Sequence, residues 1–243
     1  MMILSVSLTS CITIEKIRPV PNPHHYYVHL ETQLTDTMTG ALLMGGSGGG
    51  VCVERYEDRE TGREGCYVLT AAHVCNVPAD MLLSMSGANL SWEIFPSTID
   101  EREHRLRSII ASDARADLCL LDVSGEFPAD GEVHEIIFME DMTLDDVLDN
   151  FGAPRGEFAS GEFWQLSHYQ GFWSGYSGRF FVVFNFPIRP GQSGSAITTQ
   201  GGKLFSIVQR YNPRIETFGM GPRPELIYYF LKENGVELDI YGS

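Results

Sequence analysis

The sequence feature that most constrains the fold is a series of short apolar segments, each bounded by turn-forming residues. The segments have the length of single strands and are rich in β-branched and aromatic residues. The clearest are Val51–Val53, Cys66–Leu69, Leu118–Leu121, Phe180–Phe184 and Leu204–Val208. Short strands separated by turn signals are typical of an all-β barrel or sandwich. We therefore expect a chain built mainly of antiparallel sheet.

Two segments depart from this pattern and predict helices. Asp141–Asn150 is acidic and places apolar residues at helical spacing, and Pro224–Asn234 fits an amphipathic helix near the C-terminus. Between the expected strands, Glu54–Gly65 is strongly charged and predicts a solvated hairpin loop. A proline-rich lead-in before Tyr26–Leu30 predicts an extended segment followed by a short strand.

Length and charge exclude several classes of protein. The 243 residues favour one domain or two fused half-domains. Seventeen Lys and Arg against 32 Asp and Glu give a net charge of -15, which repels a phosphate backbone. Nucleic-acid binding is therefore not expected. No apolar run approaches the roughly 18 residues of a membrane-spanning helix.

The N-terminus leaves the localisation open between two alternatives. Leu8–Cys11 resembles the lipobox of bacterial lipoproteins, in which Cys11 would carry a lipid anchor and tether the protein in the cell envelope or periplasm. However, no Lys or Arg precedes Lys16, whereas a signal peptide begins with a basic region. The alternative is an ordinary N-terminal tail on a cytoplasmic protein of bacterial or phage origin.

The cysteines do not decide between these compartments. The five lie at Cys11, Cys52, Cys66, Cys75 and Cys119, without the C-x-x-C spacing of a metal site. A bridge such as Cys52 to Cys75 or Cys66 to Cys75 fits an oxidising compartment. Buried free thiols fit the same spacing equally well.

Two charged residues stand at strand ends where chemistry is possible. His73 follows the expected strand Tyr67–Leu69 by a few residues, so its imidazole can reach a cleft. Asp117 directly precedes a buried strand, where an unpaired carboxylate is costly and an imidazole partner is favoured. Asp113, in a polar loop, and Asp122, at the far end of that strand, are less suitable. The other histidines are assigned structural roles: His24, His25, His29, His104, His134 and His168.

The segment Pro190–Ala196 predicts a site for acyl transfer. Glycines near Ser193 allow a tight turn that points backbone N–H groups at one spot. The amides of Gly191 and Ser193 would then stabilise an oxyanion. A plain Gly/Ser hairpin loop is the structural alternative. The second glycine-rich segment, Gly45–Gly50, lacks the features of a nucleotide-binding loop.

Taken together, these residues resemble the chymotrypsin or trypsin-like serine peptidases, whose chain order is His, Asp, Ser. His73, Asp117 and Ser193 follow that order with separations of 44 and 76 residues. An α/β-hydrolase esterase would show the order Ser, Asp, His instead. The similarity covers roughly residues 40 to 212 and is closest to the HtrA-like, bacterial and viral branch. Its further motifs are the glycine-rich strand Gly45–Val51, the turn Phe151–Gly156 and the strand Gly202–Ile207.

The resemblance implies two antiparallel six-stranded β-barrels with the active site between them and a short C-terminal helix. About thirty residues follow the matched region, so the PDZ domain of HtrA enzymes is not expected. The expected division, within one peptidase domain, is residues 1–40 as a tail and lead-in strand with the lipoprotein signal in 1–11, 41–127 as the first barrel with His73 and Asp117, and 128–243 as the second barrel with Ser193 and the helix.

The function that the resemblance implies is a serine endopeptidase acting on a protein or peptide substrate. Ser193 would be the nucleophile, His73 the general base and Asp117 its orienting carboxylate, with Gly191 and Ser193 as the oxyanion hole. No metal or organic cofactor is needed. The alternative is a catalytically silent chymotrypsin-fold module used for binding. The oligomeric state is not indicated.

Three departures from the animal enzymes and one pocket prediction complete the comparison. Gln192 stands where those enzymes have the Asp that pairs with a new N-terminus, so activation by that route is not expected. Ser195 and Ala196 replace the more frequent Gly and Pro. The expected specificity pocket contains no carboxylate, which favours a small or apolar P1 residue over Lys or Arg. Its residues are Pro187 and Ile188 at the floor and Gln209, Arg210 and Tyr211 at one wall.

Overall fold

A computed structural model of the protein shows two β-sheets and few helices. It describes residues 22–58, 62–77, 89–99, 104–152, 164–174, 180–185, 188–212 and 215–242. The prediction of a mostly β fold with a short C-terminal helix is confirmed. Cys11 and the N-terminal segment around it lie outside the described residues.

The first sheet has six strands in the order β4-β1-β2-β3-β6-β5, and all its pairs are antiparallel. Its central strands are apolar on both faces because they are covered on both sides, as the fully buried run Leu118–Leu121 shows. The strands are β1 Tyr27–Asp36, β2 Leu42–Asp58, β3 Arg63–Thr70, β4 Leu90–Ser97, β5 Arg105–Asp113 and β6 Leu118–Ser124.

The charged hairpin between β2 and β3 is shorter than predicted. The two strands pair in register out to Asp58 and Arg63, well inside the expected loop Glu54–Gly65. Tyr56 and Tyr67 on these strands stack with ring centroids 5.0 Å apart. Cross-strand contacts of this kind therefore keep a strongly charged segment in the sheet.

The second sheet has nine strands in the order β13-β14-β10-β9-β8-β11-β12-β7-β15, rather than the six expected. Two of its strands, β7 and β15, are only two residues long. Strand β7 pairs in parallel with both β12 and β15. The chain segment after the C-terminal helix therefore adds β15 at the edge of the sheet. The strands are β7 Glu135–Ile136, β8 Val147–Phe151, β9 Trp164–Ser174, β10 Phe180–Asn185, β11 Ala196–Thr199, β12 Leu204–Ile207, β13 Arg210–Asn212, β14 Ile215–Pro222 and β15 Asp239–Ile240.

Three α-helices and one turn of 3₁₀ helix lie within the described residues: α1 Pro23–Tyr26, α2 Ala72–Cys75, α3 Pro224–Glu233 and the 3₁₀ turn Met139–Asp141. The predicted C-terminal helix is confirmed as α3. It starts at Pro224, whose fixed φ and missing N–H suit a first helical position, and it buries Ile227 and Leu231 against the core. No helix in the described part of the chain is both long and apolar enough to cross a membrane.

The prediction of a helix over Asp141–Asn150 is wrong. The segment forms the end of the 3₁₀ turn, a loop and strand β8. The Asp146 carboxylate accepts hydrogen bonds from the Thr143 amide and hydroxyl, each at 2.7 Å, and closes a local turn. These bonds, the one from the amide above all, lower the pKa of Asp146. Because consecutive residues from Leu148 onward are buried, a strand covered on both faces prevails over the helical spacing.

Both disulfide bonds lie in the first sheet and its connections. They join Cys52 to Cys66 and Cys75 to Cys119. Neither of the two pairings considered from the sequence is formed, because the strand register places Cys66 near Cys52 across β2 and β3, leaving Cys75 to the adjacent strand β6. The spacing of the cysteines along the chain does not reveal this strand register.

Aromatic and polar contacts join the two sheets. Tyr27 and Phe151 pack edge to face with ring centroids 5.3 Å apart. The hydroxyls of Tyr26 and Thr198 lie 3.2 Å apart, and burial raises the pKa of Tyr26 to about 12. The start of the first sheet therefore packs directly on the second.

Candidate active site

His73 is placed by the short helix α2 at the end of strand β3. The strand ends at Thr70, whose hydroxyl donates a hydrogen bond to the Gly49 carbonyl at 2.6 Å. The Val74 amide then donates to the Ala71 carbonyl at 3.0 Å and starts the helical turn. The neighbours of His73 are buried, but its own side chain is 47% exposed. The imidazole can therefore contact both the protein and a bound molecule.

Asp117 has a backbone conformation that is unusual for its residue type. Its φ is +56°, in the left-handed region that few residues other than glycine adopt. The preceding turn is closed by Asp113, whose Oδ1 accepts the amides of Arg115 and Ala116 at 2.7 and 3.0 Å. Asp113 therefore shapes the loop, and Asp117 carries the carboxylate that faces His73.

The imidazole of His73 and the carboxylate of Asp117 form a close pair. Nδ1 lies 3.0 Å from both carboxylate oxygens, and the His73 backbone N–H also donates to Oδ1 at 3.0 Å. A carboxylate can only accept hydrogen bonds, so Nδ1 carries the proton and Nε2 is left as the acceptor in the neutral ring. This is the tautomer that a general base needs.

Gln209 fixes the Asp117 loop from the second sheet. The side-chain Nε2 donates to the carbonyl oxygens of Ala116 and Asp117 at 2.8 and 2.7 Å, and only 5% of Gln209 is exposed. The sequence predicted Gln209 as part of a pocket wall, and in the structure its Nε2 bonds to the Asp117 loop. Because these two bonds hold the carbonyls on either side of the strained residue, they stabilise its left-handed conformation.

The Ser193 loop depends on two glycines with positive φ. Gly191 has φ +95° and Gly194 has φ +86°. A side chain at Gly194 would overlap both the Thr70 hydroxyl and the Gly49 carbonyl, so only glycine fits there. The Gly194 amide donates to the Val208 carbonyl at 2.7 Å. The turn therefore packs against the strand end that precedes His73.

The loops of His73 and Ser193 meet at the same strand, β2. The Gly49 amide donates to the Ser193 carbonyl at 2.7 Å. A side chain at neighbouring Gly48 would lie 2.8 Å from the Val74 methyl groups and 3.1 Å from the Ser193 carbonyl. The glycine-rich strand thus lets the residue after His73 and the backbone of Ser193 approach each other. Ser193 itself is partly exposed.

A buried network of amides and a hydroxyl lies beneath Ser193. Asn150 on β8 donates from Nδ2 to the Ser195 hydroxyl at 3.0 Å and to the Ala196 carbonyl at 2.8 Å. Ser195 donates from Oγ to the Gln192 carbonyl at 2.7 Å, and Gln192 Oε1 accepts the Arg189 amide at 2.6 Å. Sequence reasoning missed Asn150 because it placed that residue in a helix.

The segment just before the Ser193 loop packs into an apolar cluster. Ile188 is partly buried and packs on the core of the second sheet, which includes Phe184. A side chain at Gly219 would overlap the Phe184 ring and approach Ile188 Cδ1 to 2.7 Å. Two apolar side chains therefore pack directly on a bare backbone, and neither introduces a charge.

The remaining pocket residues of the sequence prediction are only partly placed. Pro187 lies outside the described residues. Arg210 is exposed, with its guanidinium carbon 5.6 Å from the centroid of the Phe181 ring. Tyr211 lies in β13. The turn predicted over Phe151–Gly156 is described only as far as residue 152.

Other titratable residues are paired with groups that do not belong to this site. Asp122 accepts a hydrogen bond from the Tyr56 hydroxyl, and Arg107 Nε lies 3.7 Å from its carboxylate. His25 pairs with Asp130 at 2.6 Å. Within the described ranges, no group of three or more His, Cys, Asp or Glu side chains could hold a metal ion.

Comparison with known proteins identifies the fold. No family model matches this sequence, and no curated protein matches it. The solved structure of the HtrA-type protease AlgW with a decapeptide aligns over 87% of this chain at 18% identity, with a TM-score of 0.61. This chain covers 64% of the AlgW chain, which is less than two thirds of its length.

A second structure matches over nearly its whole length. The active form of the Rv3671c protease from M. tuberculosis aligns over 91% of this chain and 93% of its own, at 14% identity and with a TM-score of 0.61. Within the described residues no PDZ-like module follows α3. The chain therefore has the chymotrypsin fold and is structurally similar to the AlgW and Rv3671c proteases at low sequence identity.

Proposed function

We propose that the protein is a serine endopeptidase with Ser193 as its nucleophile, and that the two sheets together form one peptidase domain. The observation that carries this proposal is the His73–Asp117 pair, whose imidazole Nδ1 lies 3.0 Å from the carboxylate. Gly49 on β2 hydrogen-bonds both to Thr70, just before His73, and to the Ser193 carbonyl, so the two segments meet at one residue. The carboxylate orients the imidazole and stabilises its protonated form, which leaves Nε2 to take a proton from a hydroxyl.

Peptide hydrolysis then takes place in two steps, acylation of Ser193 and hydrolysis of the acyl-enzyme. The Ser193 Oγ bonds to the carbonyl carbon while its proton passes to His73 Nε2. The tetrahedral intermediate collapses when His73 returns that proton to the leaving amine and the C–N bond breaks. A water molecule attacks the acyl-enzyme in the same way and releases the acid, with the proton returned to Ser193.

The oxyanion of each intermediate would be held by the backbone amides of Gly191 and Ser193. The positive φ of Gly191 supports this role because it allows the tight turn that the amides of Gly191 and Ser193 need in order to point toward one spot. Amides that are already oriented stabilise the developing charge without reorganisation.

The substrate class that the surroundings favour is a peptide with a small or apolar P1 side chain. Ile188, expected at the pocket floor, packs with Phe184 against Gly219, and this apolar packing supports the proposal because it brings no carboxylate to pair with a basic residue. The net charge of -15 disfavours acidic substrates. The similar protease AlgW was solved with a decapeptide, which is consistent with a peptide substrate here.

Labelling with a fluorophosphonate probe tests the proposal, because the probe reacts with an activated serine whatever the natural substrate. We expect the wild type to be labelled and the variants Ser193→Ala and His73→Ala to be unlabelled. The matched controls are Ser206→Ala, a buried serine elsewhere in the second sheet, and His168→Ala, an exposed histidine. Folded wild type that is not labelled would contradict the proposal and favour a silent binding module.

A further inference from the structure

The hydrogen bonds beneath the nucleophile loop converge on a single carbonyl group. The Gln192 carbonyl accepts the Ser195 amide at 3.0 Å and the Ser195 hydroxyl at 2.7 Å. Ser195 is fully buried and Gln192 is 1% exposed. A carbonyl with both its lone pairs occupied by one residue cannot turn without losing two bonds.

The orientation of that carbonyl also sets the direction of the next N–H. In a trans peptide the carbonyl and the following N–H point in opposite directions, and the described residues contain no cis peptide. The peptide that carries the Gln192 carbonyl also carries the Ser193 N–H. With the carbonyl directed inward to Ser195, the Ser193 N–H is directed away from the buried network.

Asn150 fixes the orientation of the Ser195 hydroxyl, which binds the Gln192 carbonyl. Its Nδ2 donates to the Ser195 Oγ at 3.0 Å, so the hydroxyl accepts from Asn150 and must donate to Gln192. The same Nδ2 donates to the Ala196 carbonyl at 2.8 Å, and Asn150 is fully buried on the sheet strand β8. Asn150, on strand β8, therefore determines that the Ser195 hydroxyl donates its hydrogen bond to the Gln192 carbonyl in the loop.

We propose that Asn150 and Ser195 are positioning residues that hold the Gln192–Ser193 peptide with its N–H directed at the substrate oxyanion. This inference rests on the proposed peptidase function and extends it to two residues that contact neither substrate nor the reacting atoms. The network is neutral and complete in the chain as described, so the loop needs no charged partner to hold this orientation.

A pair of matched ligands separates positioning from general stability. A peptide aldehyde with an apolar P1 residue forms a bond from its carbonyl carbon to Ser193 Oγ, and the resulting tetrahedral oxygen needs the Ser193 N–H. The corresponding peptide alcohol forms no such bond and binds only by its side chains and backbone. We expect Ser195→Ala to weaken inhibition by the aldehyde and leave inhibition by the alcohol unchanged.

We expect Ser195→Ala to weaken inhibition by the aldehyde by about tenfold to a hundredfold. This loss is no larger than the loss caused by deleting an oxyanion donor outright. It should appear in kcat and in the fluorophosphonate labelling rate, with KM unchanged. Asn150→Ala should show the same pattern, and the double variant should lose no more than the larger single loss, since both residues act through one hydroxyl.

The control is Ser206→Ala, which removes a buried hydroxyl that donates to the Pro222 carbonyl at 2.8 Å in the same sheet. It should lower thermal stability to a similar extent and keep the wild-type ratio of aldehyde to alcohol inhibition. If Ser195→Ala does not fold, Ser195→Gly tests the same deletion with a smaller side chain.

The outcomes distinguish this inference from the function on which it rests. Wild type that is neither labelled nor inhibited by the aldehyde overturns the peptidase proposal. Active wild type together with a Ser195→Ala variant that keeps the aldehyde-to-alcohol ratio overturns the positioning role and leaves the peptidase proposal intact. An equal loss for aldehyde and alcohol also overturns it, because the pocket and not the oxyanion donor would then have changed.

Discussion

The two halves of the candidate site are held in place by different means. On the first sheet, His73 and Asp117 form a charged pair, and the disulfide between Cys75 and Cys119 joins the residues two positions after each of them. On the second sheet, the loop of Ser193 is held by a neutral network of side-chain and backbone hydrogen bonds. Both described disulfides belong to the first half.

This difference indicates how each half will respond to perturbation. The histidine lies in helix α2 and the aspartate in the loop before β6, so a covalent link and a charge interaction set their distance. The Ser193 loop, in its proposed role, would instead have to orient peptide groups, which hydrogen bonds do because they are directional. We therefore expect charge changes and reduction to act on the first half, and deletion of hydrogen bonds to act on the second.

The largest expected effect follows from removing the charge of Asp117. Asp117→Asn should lower kcat by roughly 10⁴-fold, the size known for this change in a Ser-His-Asp triad, because the imidazole loses its orienting carboxylate. Stability should change little, since Asn also tolerates the left-handed region. Asp117→Ala should cost about 1 kcal/mol more in urea unfolding. An Asn variant within tenfold of the wild-type kcat would contradict the role of Asp117.

The second prediction compares the two disulfides. The double variant Cys75→Ala/Cys119→Ala opens a 44-residue loop and should lower the free energy of unfolding by about 4 kcal/mol, against about 3 kcal/mol for Cys52→Ala/Cys66→Ala with its 14-residue loop. Only the Cys75→Ala/Cys119→Ala variant should also lower kcat in folded protein, because the Cys75–Cys119 bond joins the segments that carry His73 and Asp117. Equal kcat in the two double variants would show that the covalent link does not position His73 and Asp117.

The third prediction concerns the contact that crosses from the second half to the first. Gln209→Leu keeps the approximate side-chain volume but leaves the carbonyls of Ala116 and Asp117 unpaired, which should cost about 1–3 kcal/mol in stability. We expect kcat to fall roughly tenfold to a hundredfold as Asp117 shifts relative to His73.

A spectroscopic measurement separates this positioning from stability alone. The Nδ1 proton of His73 is hydrogen-bonded to a carboxylate and should give a downfield proton resonance in the wild type. We expect that resonance to move or broaden in folded Gln209→Leu. An unchanged resonance together with a lowered kcat would mean that Gln209 acts elsewhere.

The smallest expected effect concerns a charge in the first sheet that opposes folding. Burial, and then the neighbouring Glu132, raise the pKa of Glu54 above its ordinary value. A raised carboxyl pKa in the folded state means that stability is fully present below the unfolded pKa and is lost as the pH rises through the folded pKa. Glu54→Gln should therefore raise the melting temperature at pH 7, by the equivalent of at most about 0.5 kcal/mol.

That gain should disappear near pH 3, well below the unfolded pKa, where the wild-type carboxyl is protonated in both the folded and the unfolded state. Glu57→Gln, at an exposed position on the same strand, is the control for the loss of one negative charge. A gain for Glu54→Gln that is the same at pH 3 and pH 7 would exclude ionisation as its cause.

The features that the sequence predicted correctly are those encoded locally. The strand segments at Leu118–Leu121 and Leu204–Ile207 and the helix α3 follow from apolar spacing and from Pro224 at the helix start. His73 and Asp117 were recognisable because each stands at the end of an apolar strand. Their side chains do pair in the structure, while the catalytic roles of His73, Asp117 and Ser193 stay proposals.

The features that it did not predict depend on residues far apart in the chain. Gln209 bonds to a loop more than ninety residues away, and Asn150 to a serine 45 residues away. The pairing of Cys75 with Cys119 depends on which strands are neighbours. Asn150 was also obscured by the helical spacing of its neighbours. Such contacts depend on strand register, which single residues do not reveal.

The hydrogen bond from the Gly49 amide to the Ser193 carbonyl provides a natural reporter of breathing between the two halves. This amide proton can exchange with solvent deuterium only when the strand and the Ser193 loop separate. Its protection factor therefore measures the free energy of that opening, one residue at a time and without any substrate. An acylated or aldehyde-bound protein, in which Ser193 is restrained, should exchange this proton more slowly than the free protein.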